Sequence, residues 1–125
     1  MLTAFELRPH ERRVEVSHAP DATAADRQQT VLDLLDLLTV HPGFGVLVDM
    51  RAPTQVLSYE DARQIIDTVV AHAETFRGGI ALLAVAGVSY GVARVQQAIG
   101  DTYGVPLMVF TDHASAIAWL EGPRA

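Results

Sequence analysis

The longest uninterrupted apolar run in the chain is Ile80 to Ala86, IALLAVA. It lacks the alternation of a strand with one wet face, so it reads as an interior strand covered by protein on both sides. Gly87 and Gly91 bracket Val88-Ser89-Tyr90 immediately after it. From there apolar residues recur at Val88, Val92, Val95 and Ile99, which is helical spacing, with Tyr90, Arg94, Gln97 and Asp101 on the opposite face. Towards the N-terminus, Phe5 to Arg8 and Val14 to Ser17 alternate apolar and polar around Pro9-His10-Glu11, the pattern of an antiparallel hairpin at a sheet edge. Ala22 to Val40 follows as a helix with Val31, Leu34, Leu35 and Leu38 on one face and Gln29, Asp33 and Asp36 on the other. Leu32 and Leu37 widen that stripe, which fits either a deep core position or a contact with a second copy in a homodimer.

His41-Pro42-Gly43 stops the first helix, and Phe44 to Val48 is a second interior strand with Asp49 at its carboxyl end. Ser58-Tyr59-Glu60-Asp61 has the serine-to-carboxylate spacing of a helix start, and that helix is expected to run to about Phe76, burying Ala62, Ile65, Ile66, Val69 and Ala73. After Asp101-Thr102-Tyr103-Gly104, a last strand spans Val105 to Phe110. Asp112 caps a closing helix, Ala114 to Glu121, stopped by Gly122-Pro123. The order ββαβαβαβα predicts an α/β fold over residues 1–125 as one domain: a mixed, mostly parallel five-stranded sheet with four helices and an N-terminal β-hairpin. Trp119 and Ile117 are expected to hold the closing helix to the sheet.

Composition narrows the chemistry. The 125 residues are 50% hydrophobic and 19% charged, which excludes disorder, and no apolar run approaches the ~20 residues of a membrane span. The opening MLTAFELRPHERR lacks the pattern of a secretory signal, so a cytoplasmic protein is expected. Cysteine is absent, which removes disulfides, thiolate nucleophiles and cysteine zinc sites. A net charge of -6 with no basic stripe argues against nucleic acid. All nine cations are arginines; without lysine there is no P-loop lysine, no Schiff base and no receiver-type lysine. The five histidines show no ligand spacing, and neither a metal nor another cofactor is expected.

Gly87-Val88-Ser89-Tyr90-Gly91 is a literal G-x-S-x-G between a strand and a helix, the context of a hydrolase nucleophile elbow. A small serine hydrolase using Ser89 is therefore the alternative function. It needs an acid and then a histidine downstream. His113 is the one histidine after Ser89, and its neighbour Asp112 is better used as a helix cap, so an N-cap or loop role is the plainer reading of Ser89. Asp49 at a strand end suggests a phosphoacceptor but lacks an acidic pair and a lysine; hydrogen bonding in the following turn is the simpler role.

Tyr90-Gly91-Val92-Ala93-Arg94, Met108-Val109-Phe110-Thr111-Asp112 and Ala116-Ile117-Ala118-Trp119-Leu120 together resemble the SpoIIAA-like proteins of the STAS and Sec14-related group. The likeness follows the order of elements from Val14 to Leu120 and is carried in motif by the last third. It implies a small domain with a mixed sheet and helices largely on one side, related in fold to anti-sigma factor antagonists and lipid-carrier domains, and no catalytic residue. In the sporulation antagonists a D-S-x-G segment carries the phosphorylated serine. Here Val56-Leu57-Ser58-Tyr59-Glu60-Asp61 lacks both the aspartate and the glycine, which leaves Ser58 as an N-cap.

The expected function is thus a non-enzymatic binding or regulatory domain, with a protein or a small apolar or anionic ligand as partner. The carboxyl ends of the parallel strands should bring Asp49, Gly87 to Tyr90 and Thr111-Asp112 to one rim. Gly87 and Gly91 leave amides uncovered at a helix start, which favours an anion, with Ser89, Tyr90 and Arg94 close by.

Overall fold

The computed structural model describes residues 2–122. Its elements follow the expected order: β1 (Thr3–Arg8), β2 (Arg13–His18), α1 (Ala24–Val40), β3 (Gly45–Asp49), α2 (Tyr59–Ala71), β4 (Ile80–Leu83), α3 (Val88–Thr102), β5 (Leu107–Phe110) and α4 (His113–Glu121). The strands lie in the spatial order β1-β2-β3-β4-β5. β1 pairs antiparallel with β2, and β2 to β5 run parallel. Each crossover therefore adds its strand beside the last one in the same direction. Right-handed connections then stack α1, α2 and α3 on one face. α4 follows the last strand and covers the other face over β3, β4 and β5.

Alternation along the strands divides the residues between these faces. Val14, Val16, Val46, Ile80, Leu82, Leu107 and Val109 join the core under α1 to α3, whereas Leu47, Ala81 and Leu83 pack with Ala116 and Leu120 of α4. α4 packs on β3, β4 and β5 and meets β2 at its C-terminal end, where Glu121 lies 3.6 Å from Arg13. The β1 and β2 half of that face carries charges: Arg8 pairs with Glu6 (2.6 Å) and Glu15 (2.8 Å), and Arg13 with Glu15 (2.9 Å). Such a ladder leaves the β1 edge polar, which discourages pairing with another chain. At the other edge, Gln97 of α3 uses its Oε1 to accept from the Val109 amide at 3.0 Å, so part of the β5 edge is closed by a side chain.

Three helices start on side-chain caps. Thr23 and Asp26 form a reciprocal capping box, Ser58 Oγ accepts from the Asp61 amide at 3.0 Å, and Asp112 accepts from the Ser115 amide at 2.8 Å. α3 has no side-chain cap; it opens at Gly87, whose φ of 115° and ψ of -144° suit only glycine.

Several details differ from expectation. β4 ends at Leu83, its last residue paired with both neighbours, so Ala84 is still buried but Val85 is 51% exposed. α2 stops at Ala71, well short of Phe76. Amides 73, 75, 76 and 79 instead bond three residues back, and these tight turns carry Phe76 into the core. α3 faces the core with Ala93, Gln96 and Gly100 rather than with its valines, and Val88 is 72% exposed. The cause is close approach: a Cβ on Gly100 would lie 3.4 Å from the Val105 carbonyl oxygen and 3.5 Å from Leu107 Cβ, a distance that small residues permit. Trp119 is only half-buried, with its ring 5.9 Å from Phe110, and Ala116 and Leu120 supply the buried face of α4. Leu37 packs against the core while Leu32 stays exposed. Pro123 lies outside the described residues.

Candidate functional site

The strand register brings the carboxyl ends of the parallel strands level: Ser17 pairs with Asp49, Asp49 with Leu83, and Leu83 with Phe110. The next residues, His18, Met50, Ala84 and Thr111, form the rim. Pleating then separates what the sequence placed together. Asp49 lies on the α4 side with Leu47 and Ser17, in a surface depression that His113 also lines. Ser89 lies on the other side, in a narrow cleft walled by Arg27, Met50, Pro53, Val56, Leu57 and Val92.

That cleft shares walls with an interior space. Arg27, Met50 and Leu57 are also walls of a cavity of about 70 Å³ between the sheet and α1 to α3, whose lining includes Leu34, Val48, Ile66, Val69, Leu82 and Leu107. Its polar lining is confined to His18, Arg27, Thr30 and Gln96. Thr30 donates to the Asp26 carbonyl at 2.9 Å and Gln96 to the Ala62 carbonyl at 3.0 Å, so these two serve the helices. His18 Nδ1 lies 3.2 Å from Thr3 Oγ1. Burial, reinforced by the charge of Arg27, lowers the His18 pKa, which favours the uncharged ring.

Arg27 is the unusual member. It is 8% exposed, and its Nη2 donates to the Gln55 carbonyl at 2.9 Å, but its buried Nε has no hydrogen-bond partner. Among the described residues no carboxylate lies within 4.0 Å of it. Burial lowers its pKa from the ordinary value, yet a guanidinium stays protonated throughout the physiological range. The neighbouring Asp26 carboxylate is taken up by the capping box, 2.7 Å from the Thr23 amide and 2.9 Å from the Thr23 hydroxyl.

The other residues expected at the rim have separate roles. Asp49 holds Arg51 in a fork, with Nε at 3.0 Å and Nη2 at 2.9 Å, and accepts from the Arg51 amide as well. Partial burial pushes its carboxyl up, but the hydrogen bonds and charge of Arg51 outweigh this and hold its pKa below the ordinary value. Tyr90 and Arg94 form a pair of their own: Arg94 Nη1 lies 3.3 Å from the Tyr90 hydroxyl and the guanidinium 5.9 Å from the ring. Gly87 is the hinge into α3, and Gly91 faces open space. Ser89 is the second residue of α3, so it is not the N-cap. The cleft it lines contains no histidine, and His113 stands on the opposite face of the sheet. Ser58 is an N-cap, as expected. Among the described residues no three His, Asp or Glu side chains converge as metal ligands, and no helix is long and apolar enough to cross a membrane.

No protein-family model matches the chain, and no curated protein matches it in sequence. Its fold, however, is that of a solved protein. The crystal structure of an uncharacterised protein from the DUF3478 family of Shewanella loihica PV-4, with a SpoIIAA-like fold, covers 94% of this chain and is itself covered over 91% of its length, at a TM-score of 0.64 and 18% identity. The chain has the SpoIIAA-like fold. The likeness is one of architecture: a hairpin leading into a sheet wound in one direction, with three helices on one face. In this SpoIIAA-like sheet the strand order never reverses between parallel neighbours, so no crevice opens at a switch of direction. Space is found instead beneath the helices.

Arg27 and His18 are absent from the sequence-level site, although the signal for both was present. Arg27 lies four residues before Val31, on the same stripe as Leu34 and Leu38, and His18 continues the alternation of Val14 and Val16. Extending each apolar pattern by one step places both polar groups on the core side.

Proposed function

We propose that the protein is a non-enzymatic binding domain that takes a small apolar ligand into the cavity between the sheet and α1 to α3, through the cleft beside Ser89. The observation that carries this reading is the cavity itself. Protein interiors are close-packed, with few voids. At ~24 cal/mol per Å³, a void of 70 Å³ costs about 1.7 kcal/mol of stability if it stays empty. An apolar occupant recovers that energy. A dry cavity of about 150 Å³ takes benzene, so a volume of 70 Å³ suits roughly three or four heavy atoms before its walls adjust.

The cover is also suited to opening. The segment from Met50 to Leu57 has no regular structure and is held at its middle by Thr54, which bonds the Pro20 carbonyl through its amide (2.9 Å) and hydroxyl (3.2 Å), and by the Arg27 to Gln55 bond. A ligand that binds only the folded state raises stability by mass action, by ~2.7 kcal/mol at a hundredfold excess over Kd. Thermal unfolding in millimolar 1-pentanol is therefore expected to show a saturable rise in Tm of several degrees. Val69→Leu places an extra methylene in the void and should reduce that rise. No rise at any concentration, or the same rise in Val69→Leu, would remove the cavity from the function.

A further inference from the structure

Resting on the reading of the cavity as a ligand site, we infer that the ligand carries an anionic group held by Arg27, and that it is a short-chain monocarboxylate. A buried cation normally has a carboxylate beside it, because desolvation without a partner is costly. Arg27 has none among the described residues, and its Nε is unpartnered although the side chain is 8% exposed. The helix does not call for it either. Arg27 sits in the first turn of α1, where the macrodipole favours anions and opposes a cation.

The surroundings add to the same field. α3 begins at the cleft with no side-chain cap and no acidic residue in its first turn, so its N-terminal amides contribute positive potential beside Ser89. The carboxylates of Asp26, the residue before Arg27, and of Asp49 are engaged elsewhere: Asp26 by Thr23, and Asp49 by Arg51 on the far face of the sheet. A guanidinium that is a wall of both the cleft and the cavity matches one ligand plan: a carboxylate at the mouth and a short apolar tail inside. The volume of about 70 Å³ limits the tail to a few carbons.

The test compares pentanoate, 1-pentanol and acetate on the full chain by calorimetric titration, in the wild type, Arg27→Met and Arg27→Gln. Pentanoate is expected to bind the wild type at least tenfold more tightly than 1-pentanol, because only the carboxylate brings an opposite charge to the guanidinium. Acetate, which lacks the tail, should bind at least tenfold more weakly than pentanoate. Both variants should lose the preference for pentanoate while retaining 1-pentanol binding, which also reports that the cavity is intact. Equal binding of pentanoate and 1-pentanol to the wild type would overturn the anionic ligand and leave the apolar cavity standing. Binding of neither would overturn both. An unchanged preference in the two Arg27 variants would overturn Arg27 as the anchor.

Discussion

Phe76→Ala is expected to cost ~3–5 kcal/mol, more than any other truncation of an aromatic residue in this chain. Phe76 is 1% exposed and lies in the same core as Leu38, Val46, Ile66 and Ile80. Removing its ring leaves a void that tight turns on one side and the sheet on the other cannot close. The loss is a large share of the ~5–15 kcal/mol that holds a domain together, and urea titration should show the midpoint falling steeply. Trp119→Ala should cost less than half as much, since that ring is half-buried beside Phe110. The reverse ranking would mean that α4 carries more of the core than its contacts indicate.

The second large effect is at Gly78. A Cβ there would lie 2.2 Å from the Phe44 carbonyl oxygen and 2.5 Å from that of Gly43, both backbone atoms that cannot swing aside. Gly78→Ala must therefore push apart the turn before β3 and the turn before β4, at a cost of ~3 kcal/mol or more, the upper end for overpacking. Gly91 supplies the contrast. A Cβ on it meets nothing within 4 Å, and it sits inside α3, so Gly91→Ala should stabilise by ~0.5–1 kcal/mol through the restricted unfolded chain and better helix propensity. Paired urea curves for the two variants check both signs. They separate a glycine required by packing from one that is conspicuous only as part of a G-x-S-x-G string.

The elements were legible because each hydrophobic period is strong. The hairpin alternates cleanly, the caps at Ser58 and Asp112 start helices where they were expected, and the order of strands and helices leaves little choice of topology. What failed is instructive in physical terms. The core face of α3 was hidden because hydrophobicity points to Val88 and Val95, whereas docking depends on how near the backbone can come, which selects Ala93 and Gly100. The last residues of the long apolar run left the sheet because a strand ends where its neighbours end, and the lengths of β3 and β5 are not written in β4.

The site was only half legible. A parallel order of strands brings their carboxyl ends level, and that much follows from the sequence pattern. A level register does not reveal which face a side chain takes, however, and pleating sent Asp49 to the α4 side and Met50 to the cavity side. The cavity is a property of how three helices lie on the sheet, so no stretch of sequence announces it. Arg27 had a signal that an apolar-only reading of the stripe overlooks. A charged residue in phase with Val31, Leu34 and Leu38 is either solvated at the end of the helix or buried for a reason, and here it is buried.

The measurement that bears most directly on the cavity as a binding site is a methyl NMR titration of isoleucine-, leucine- and valine-labelled protein with 1-pentanol. Saturable shifts are expected at Leu34, Ile66, Val69, Leu82 and Leu107, which line the cavity, with Leu47, Leu83 and Leu120 on the far face unmoved. Shifts confined to the far face or to exposed methyls such as those of Val88, or none at all, would contradict it.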